Sequence, residues 1–288
     1  MKYSVLLPNI FDHPFTYESE MDLKVGNYVK VPFGKSNMTG IIWHKFEVNK
    51  KKDFKLKKIF SKIETPALNI KTLKFLEWFS EYNLIPLGMS LKLHLLSNDA
   101  VEKQDNNLYG TYLENSKSKF FKLSEDQSQA YQKMSSYVIN FRVHLLQGIT
   151  GSGKTLVYFK SVLQKIKHGY QALILLPEIG LTYEFEKKFI EYFGFQPAIW
   201  HSGISKSNKR IIWSGLATGK IKVVIGARSS LFLPFKNIGE IIVDEEHDQS
   251  YKQDEGVIYN ARDMAISRAK FENIPINLVS AVPSLETY

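Results

Sequence analysis

Apolar residues follow two rhythms along this chain, and the change of rhythm marks its organisation. Between residues 1 and about 65 they come in short runs, Tyr3 to Leu7, Tyr28 to Phe33 and Gly40 to His44, broken by Gly26, Gly34 and Asn37, a pattern that predicts a small β-rich domain. Over residues 70–82, Ile70, Leu73, Leu76, Trp78, Phe79 and Tyr82 recur at helical spacing; the stripe reads as a core-facing helix rather than a base-stacking platform. From Ser97 to Lys122 the chain turns polar, with Asn98-Asp99, Gln104 to Asn107 and Glu114 to Lys119, and reads as a linker. Strand and helix patterns then alternate. Strands are predicted at 143–147, 172–176, 198–201, 222–226, 240–244 and 276–281, and helices at 155–168, 182–193, 207–217 and 259–272. Continuous apolar strands such as Ala172 to Leu176 suit a parallel sheet covered on both faces, so the expected fold class is α/β, preceded by the β-rich domain. The implied boundaries are residues 1–100, a linker over 101–122, and residues 123–288.

In an open α/β sheet, ligands gather beyond the carboxyl ends of the strands, and the chain places chemistry at two of them. After Val143 to Gln147 comes Gly148-Ile149-Thr150-Gly151-Ser152-Gly153-Lys154-Thr155, a full G-x-x-x-x-G-K-[ST] phosphate-binding loop, followed by a helical pattern. Gly148, Gly151 and Gly153, with Ser152, let the backbone close on phosphates; Lys154 reaches the β- and γ-phosphates and the Thr155 hydroxyl holds Mg2+. After Ile241-Ile242-Val243 comes Asp244-Glu245-Glu246-His247, where Asp244 completes Mg2+ coordination and Glu245 orients or deprotonates the attacking water. ATP with Mg2+ is therefore the expected cofactor, with Lys154, Asp244 and Glu245 as the catalytic group.

Charge adds a partner. The net charge is +9 and the pI near 9.3, which favours a polyanion, although 33 lysines to five arginines also fits an AT-rich genome. Residues 45–62 carry eight lysines and two acids with Phe46, Phe54 and Phe60 interleaved, read as a solvated basic hairpin. Arg228, between Gly226 and Ser229-Ser230 at a strand end, is better placed to hold a backbone phosphate. The absence of cysteine excludes disulfides and thiolate zinc sites. No apolar run approaches the roughly eighteen residues of a membrane-spanning helix, and Pro8 makes Met1 to Phe11 a poor signal peptide, so a cytoplasmic location without membrane contact is expected.

Further motifs occur in a telling order: Leu175 to Thr182, Gly226 to Phe235, Asp244 to Asp248 and Ser280-Ala281-Val282-Pro283-Ser284. They resemble motifs Ia, Ib, II and III of superfamily 2 helicases, and their wording resembles the primosomal protein N′ family of bacterial replication-restart helicases. The run Asp248 to Gly256, with Tyr251 and Lys252, followed by Tyr259 to Asp263, is similar to that family's aromatic-rich DNA-contacting loop. The resemblance implies a RecA-like lobe in which Gln127 reads adenine. It also implies an amino-terminal domain (Leu7-Pro8, Phe15-Thr16-Tyr17, Val31 to Lys35) that captures the 3′ end of a nascent strand through Thr16 and Tyr17, Thr16 standing where the family has Asp. Forked or single-stranded DNA, primosome proteins and single-strand-binding protein are the partners it implies.

Against the family, this sequence carries no second RecA-like lobe with its arginine finger and no zinc ligands, its linker is short for a winged-helix domain, and Val282 replaces the usual Thr. The expectation is an ATP-dependent 3′ to 5′ DNA helicase by family whose 288 residues alone bind ATP and DNA, hydrolyse ATP slowly and separate no strands. The alternative is a non-catalytic, nucleotide-sensitive DNA-binding module. A small-molecule P-loop kinase or transporter ATPase fits the aromatic loop and motif Ib poorly.

Overall fold

A computed structural model describes residues 1–45, 56–95, 121–135, 140–177 and 183–287. They form two compact units, one of Met1–Asn106 with Lys206–Thr218 and one of Asn107–Ser205 with Gly219–Tyr288.

In the first unit, β1 (Lys2–Leu6), β2 (Phe15–Glu18), β3 (Tyr28–Phe33), β4 (Ser36–Lys45) and β5 (Ser61–Lys62) form an antiparallel sheet in the order β2-β1-β4-β3-β5. The chain before β5 also pairs with β2: Glu18 N donates to Lys57 O at 3.1 Å and Ile59 N to Glu18 O at 3.0 Å. Both edges of the sheet thus meet one segment, leaving neither ladder open at that point. Alternation puts Val5, Leu7, Val29, Val31 and Ile42 inside, joined by Tyr3, Tyr17, Leu23 and Ile59. Gly26 takes the left-handed conformation (φ +88°), and a Cβ there would strike the Leu68 carbonyl, so the turn into β3 requires glycine.

Helix α1 (Ile70–Tyr82) starts where the Asn69 side chain accepts from Thr72 N at 2.7 Å. Leu73, Phe75, Leu76 and Phe79 are buried, but the ends of the predicted stripe are not: Ile70 and Tyr82 are exposed, and Tyr82 stacks on half-buried Trp78 at 4.8 Å between centroids. The core-facing reading therefore holds for the middle of the stripe only, because thirteen residues turn through more arc than one neighbouring surface covers. Helix α2 (Leu87–Leu95) follows. Of the expected linker over 101–122, residues 101–120 lie outside the described residues.

The second unit opens with α3 (Glu125–Met134) and carries an all-parallel sheet of β6 (Arg142–Gln147), β7 (Gln171–Leu175), β8 (Ala198–Trp200), β9 (Val223–Gly226), β10 (Ile238–Asp244) and β13 (Pro275–Ser280), ordered β6-β13-β10-β7-β9-β8. Helices α4 (Lys154–Lys167), α5 (Tyr183–Phe193) and α7 (Ala261–Glu272) are its crossovers, and a short hairpin pairs β11 (Lys252–Gln253) with β12 (Tyr259–Asn260). β7 and β10 are buried along their whole length, as the apolar runs Ala172 to Leu175 and Ile241 to Val243 require, with Gln171 and Glu240 buried among them. The predicted strand 143–147 is the edge strand β6, with Val143 and Leu145 exposed and Leu146 buried.

The remaining helix, α6 (Lys206–Thr218), connects the parallel neighbours β8 and β9 in the chain as expected, yet it belongs to the first unit. Trp213 is its anchor. Fully buried, it donates from Nε1 to the His94 carbonyl at 3.0 Å and meets the Tyr28 ring edge-on at 5.4 Å, while the Tyr28 hydroxyl bonds His94 Nε2 at 2.9 Å.

Candidate nucleotide-binding and nucleic-acid-binding site

Strand order decides what meets at the carboxyl edge of the parallel sheet. β6 delivers the glycine-rich loop, β10 delivers Asp244, and β13 lies between them and delivers Ser280. The loop is shaped as a phosphate cradle. Gly151 and Gly153 sit at φ +82° and +80°, and a Cβ on Gly148 would stand 2.7 Å from Ser152 Oγ. Gly153 precedes α4 without a side-chain cap, so the first amides of a fourteen-residue helix face the loop with the positive end of its dipole. Lys154 Nζ donates to Gly148 O at 2.6 Å and Ile149 O at 3.2 Å, which folds the one ammonium of the loop back across it.

Asp244 is held by a hydroxyl that the sequence pattern did not single out. Tyr158 Oη, three residues after Thr155 on the same helix, donates to Asp244 Oδ2 at 2.8 Å. Burial, with the Asp244 charge beside it, holds the Tyr158 phenol well above its ordinary range and therefore protonated as a donor. Burial also raises Asp244, an effect opposed by the Tyr158 bond. The Thr155 hydroxyl and the Asp244 carboxylate, with a helix start that has no side-chain cap, suit a hard divalent cation carrying phosphate oxygens, so the donor set fits Mg2+ with a nucleotide. The signal for Tyr158 was available, since it lies three residues after Thr155 on the same helix face.

Glu245 follows Asp244 in the left-handed region, at φ +47°, where non-glycine residues are uncommon. Its N–H donates to Asp244 Oδ1 at 3.0 Å and its carboxylate lies 3.6 Å from His247 Nδ1. His247 in turn bonds Ser280 Oγ at 2.7 Å, joining motif II to motif III, whereas Val282 is 70% exposed. Gln127 is the third residue of α3. It completes a capping box with Ser124, and Nε2 donates to Ser152 O at 2.9 Å, tying α3 to the phosphate loop. One N–H and one carbonyl lone pair of its amide are left by these bonds.

The expected DNA contacts divide differently. Tyr251 is 1% exposed; its hydroxyl donates to Leu175 O at 3.1 Å and Asp244 O at 2.5 Å, so it braces the ends of β7 and β10 and is not a DNA contact. Tyr17 is corrected likewise: it is a core residue whose hydroxyl donates to Pro32 O at 3.1 Å, because the strand alternation that leaves Thr16 half-buried turns Tyr17 inward. Arg228 gives one donor to Lys252 O at 2.8 Å, bracing the aromatic loop. Lys252 is exposed, 3.6 Å from Asp254. In the basic run, Lys57, Lys58 and Phe60 are exposed, while 46–55 lies outside the described residues, as does 178–182 of motif Ia.

A family model described as DEAD/DEAH box helicase matches residues 124–288, more than half the chain. The chain belongs to the DEAD/DEAH box helicases. A second model, 3′DNA-binding domain (3′BD), matches residues 4–95. Replication restart protein PriA of Rickettsia conorii is 42% identical over 292 residues, covering 98% of this chain and 43% of that protein. The protein of the same name from Bacillus subtilis is 41% identical over 168 residues, 58% of this chain and 21% of that one. The chain thus spans less than half the length of these relatives. A solved structure of RecG bound to a three-way DNA junction aligns with 58% of this chain and 22% of its own, at 28% identity and a TM-score of 0.42. Among the described residues no helix is long and apolar enough to cross a membrane, and no cluster of three or more His, Asp or Glu could hold a metal ion. A cation borne by a nucleotide's phosphate oxygens and held by one hydroxyl and one carboxylate would need no such cluster.

Proposed function

We propose that this chain binds Mg-ATP at the Gly148–Thr155 loop and forked or single-stranded DNA with a 3′ end through residues 1–95, and so forms the nucleotide- and DNA-binding part of a replication-restart helicase. The observation that carries the nucleotide reading is Asp244 held by the Tyr158 hydroxyl, on the same helix whose uncapped start carries Lys154 and Thr155 behind the glycine loop. The match of residues 4–95 supports the DNA reading.

In this reading, the loop amides and Lys154 bind phosphate oxygens, and Lys154 exchanges its bonds to Gly148 O and Ile149 O for them. Thr155 and Asp244 hold the cation, which when bound neutralises charge developing on the phosphoryl oxygens. Glu245 orients water and accepts its proton. Gln127 offers its remaining donor and acceptor to adenine while anchoring the loop through Ser152. Thr16, Lys252 and the exposed lysines beside β5 meet phosphate or sugar.

Calorimetric titration of Mg-ATP into the 288-residue chain and its Lys154→Ala variant tests this directly. Removing the loop's ammonium lowers affinity at least tenfold, about 1.4 kcal/mol; equal affinity refutes the nucleotide site. Anisotropy with labelled forked DNA gives a steep salt dependence, because phosphate contacts release counterions. A flat salt profile refutes the DNA reading.

A further inference from the structure

Motif II contains a third acid, Glu246, to which the nucleotide reading gives no task, yet it is the most tightly held of the three. Its side chain is 0% exposed. Oε1 accepts from Ser284 N at 2.8 Å, and Oε2 accepts from Thr287 Oγ1 at 2.7 Å, Ser284 Oγ at 3.2 Å and Arg262 Nη1 at 3.4 Å. Arg262 closes the ring by donating to Ser284 Oγ at 2.6 Å and to Asp263 Oδ1 at 2.9 Å. A buried anion satisfied by four donors from two segments is a rigid anchor, since losing any donor leaves charge uncompensated.

What it anchors is the residue before it. Glu245 sits at φ +47° without being glycine, a conformation that persists only where both flanks are pinned. On one side, the Asp244 carbonyl is held by the Tyr251 hydroxyl. On the other, Glu246 N donates to Val279 O at 3.0 Å and its carboxylate is locked to Ser284 and Thr287. The direction of the Glu245 carboxylate therefore depends on the segment after β13, through Glu246, while solvent-facing Val282 offers no such link.

We propose that Glu246 is a positioning residue, whose carboxylate, clamped by Ser284, Thr287 and Arg262, holds Glu245 in the left-handed turn that aims it at water and couples the nucleotide site to residues 284–287. The inference rests on Glu245 being the water-activating group. It assigns to the Glu246 clamp the coupling that the usual hydroxyl at position 282 would otherwise supply.

Single-turnover hydrolysis of radiolabelled ATP with the chain in excess, together with hydrogen exchange of residues 280–287 with and without Mg-ATP, tests it. Glu246→Gln places an amide against four donors. It is expected to slow hydrolysis at least tenfold with ATP affinity within about twofold, and Ser284→Ala to slow it less; Glu246→Asp, which keeps the charge, recovers part of the rate, and Val282→Thr changes nothing. In the parent chain Mg-ATP slows exchange of the 284–287 amides, and in Glu246→Gln it does not. Equal hydrolysis in Glu246→Gln, or nucleotide-induced protection of 284–287 that survives the substitution or is absent from the parent, overturns the proposal. Glu245→Gln separates the two readings: if it leaves hydrolysis unchanged, the catalytic assignment itself fails, whereas loss in Glu245→Gln without loss in Glu246→Gln defeats the clamp alone. Where the parent hydrolyses too slowly to measure, the exchange arm decides.

Discussion

The Tyr158 hydroxyl donates to Asp244 Oδ2 at 2.8 Å across 86 residues of sequence, joining the helix that follows the phosphate loop to the strand that ends in acids. Both groups are buried, so the bond holds the two halves of the nucleotide site in one geometry before any ligand arrives.

Tyr158→Phe removes that donor and leaves a buried carboxylate oxygen short of a partner. The expected cost is about 1–3 kcal/mol of stability, with Mg-ATP affinity reduced and affinity in the absence of Mg2+ nearly unchanged. Thermal melting and paired calorimetric titrations with and without Mg2+ check this; an equal loss in both titrations means that Tyr158 does not organise the cation site.

Tyr251→Phe separates bracing from DNA contact. The hydroxyl serves Leu175 O and Asp244 O, so its loss costs about 1–3 kcal/mol in melting. DNA affinity at fixed salt should stay within about twofold. A large loss of DNA affinity at unchanged stability would restore Tyr251 to the DNA surface.

Glu240 gives the chain a pH-dependent core. Fully buried in β10, it accepts from Ser161 Oγ at 2.7 Å and Asn277 Nδ2 at 2.5 Å, and Asn277 also bonds His144. Burial pushes its carboxyl up to about 7, against the pull of Ser161, nearby Lys165 and Asn277. The folded value lies above the unfolded one, so the folded state binds the extra proton. The stabilisation is complete below about pH 4.5 and lost as pH rises through 7. A shift of this size corresponds to roughly 3 kcal/mol. Melting midpoints of Glu240→Gln should therefore show a smaller decline between pH 5 and pH 8 than those of the parent; identical declines would exclude Glu240 as the source.

Trp213→Ala tests the membership of α6. Deleting a fully buried indole costs about 3–5 kcal/mol, and the hydrogen bond to His94 O is lost with it. Hydrogen exchange should accelerate in β3 and α2, which carry Tyr28 and His94, while β7 and β10 keep their protection. Faster exchange in β7 and β10 alone would place α6 with the parallel sheet instead.

The α/β order, the phosphate loop, the paired acids and the β-rich start are legible in the residues themselves, because each is a local pattern. Apolar runs of strand length, glycines at positions of positive φ and a Lys-Thr opening a helix impose their conformation within a few residues. The predicted strands 143–147, 172–176 and 240–244 accordingly lie within a residue or two of β6, β7 and β10. Tertiary structure alone decided the rest. The exposure of β6 follows from its place at the sheet edge, and the assignment of α6 to the first unit from Trp213 meeting a carbonyl 119 residues away. Tyr251 and Tyr17 look like base-stacking rings in one dimension, yet each is buried with its hydroxyl on a backbone carbonyl. Glu246 reads as one more acid in a row. Its role depends on Ser284 and Thr287, 38 and 41 residues downstream, arriving beside it in the turn after β13. A side chain's direction and partners are set by which distant segments close around it, and local pattern does not encode that closure.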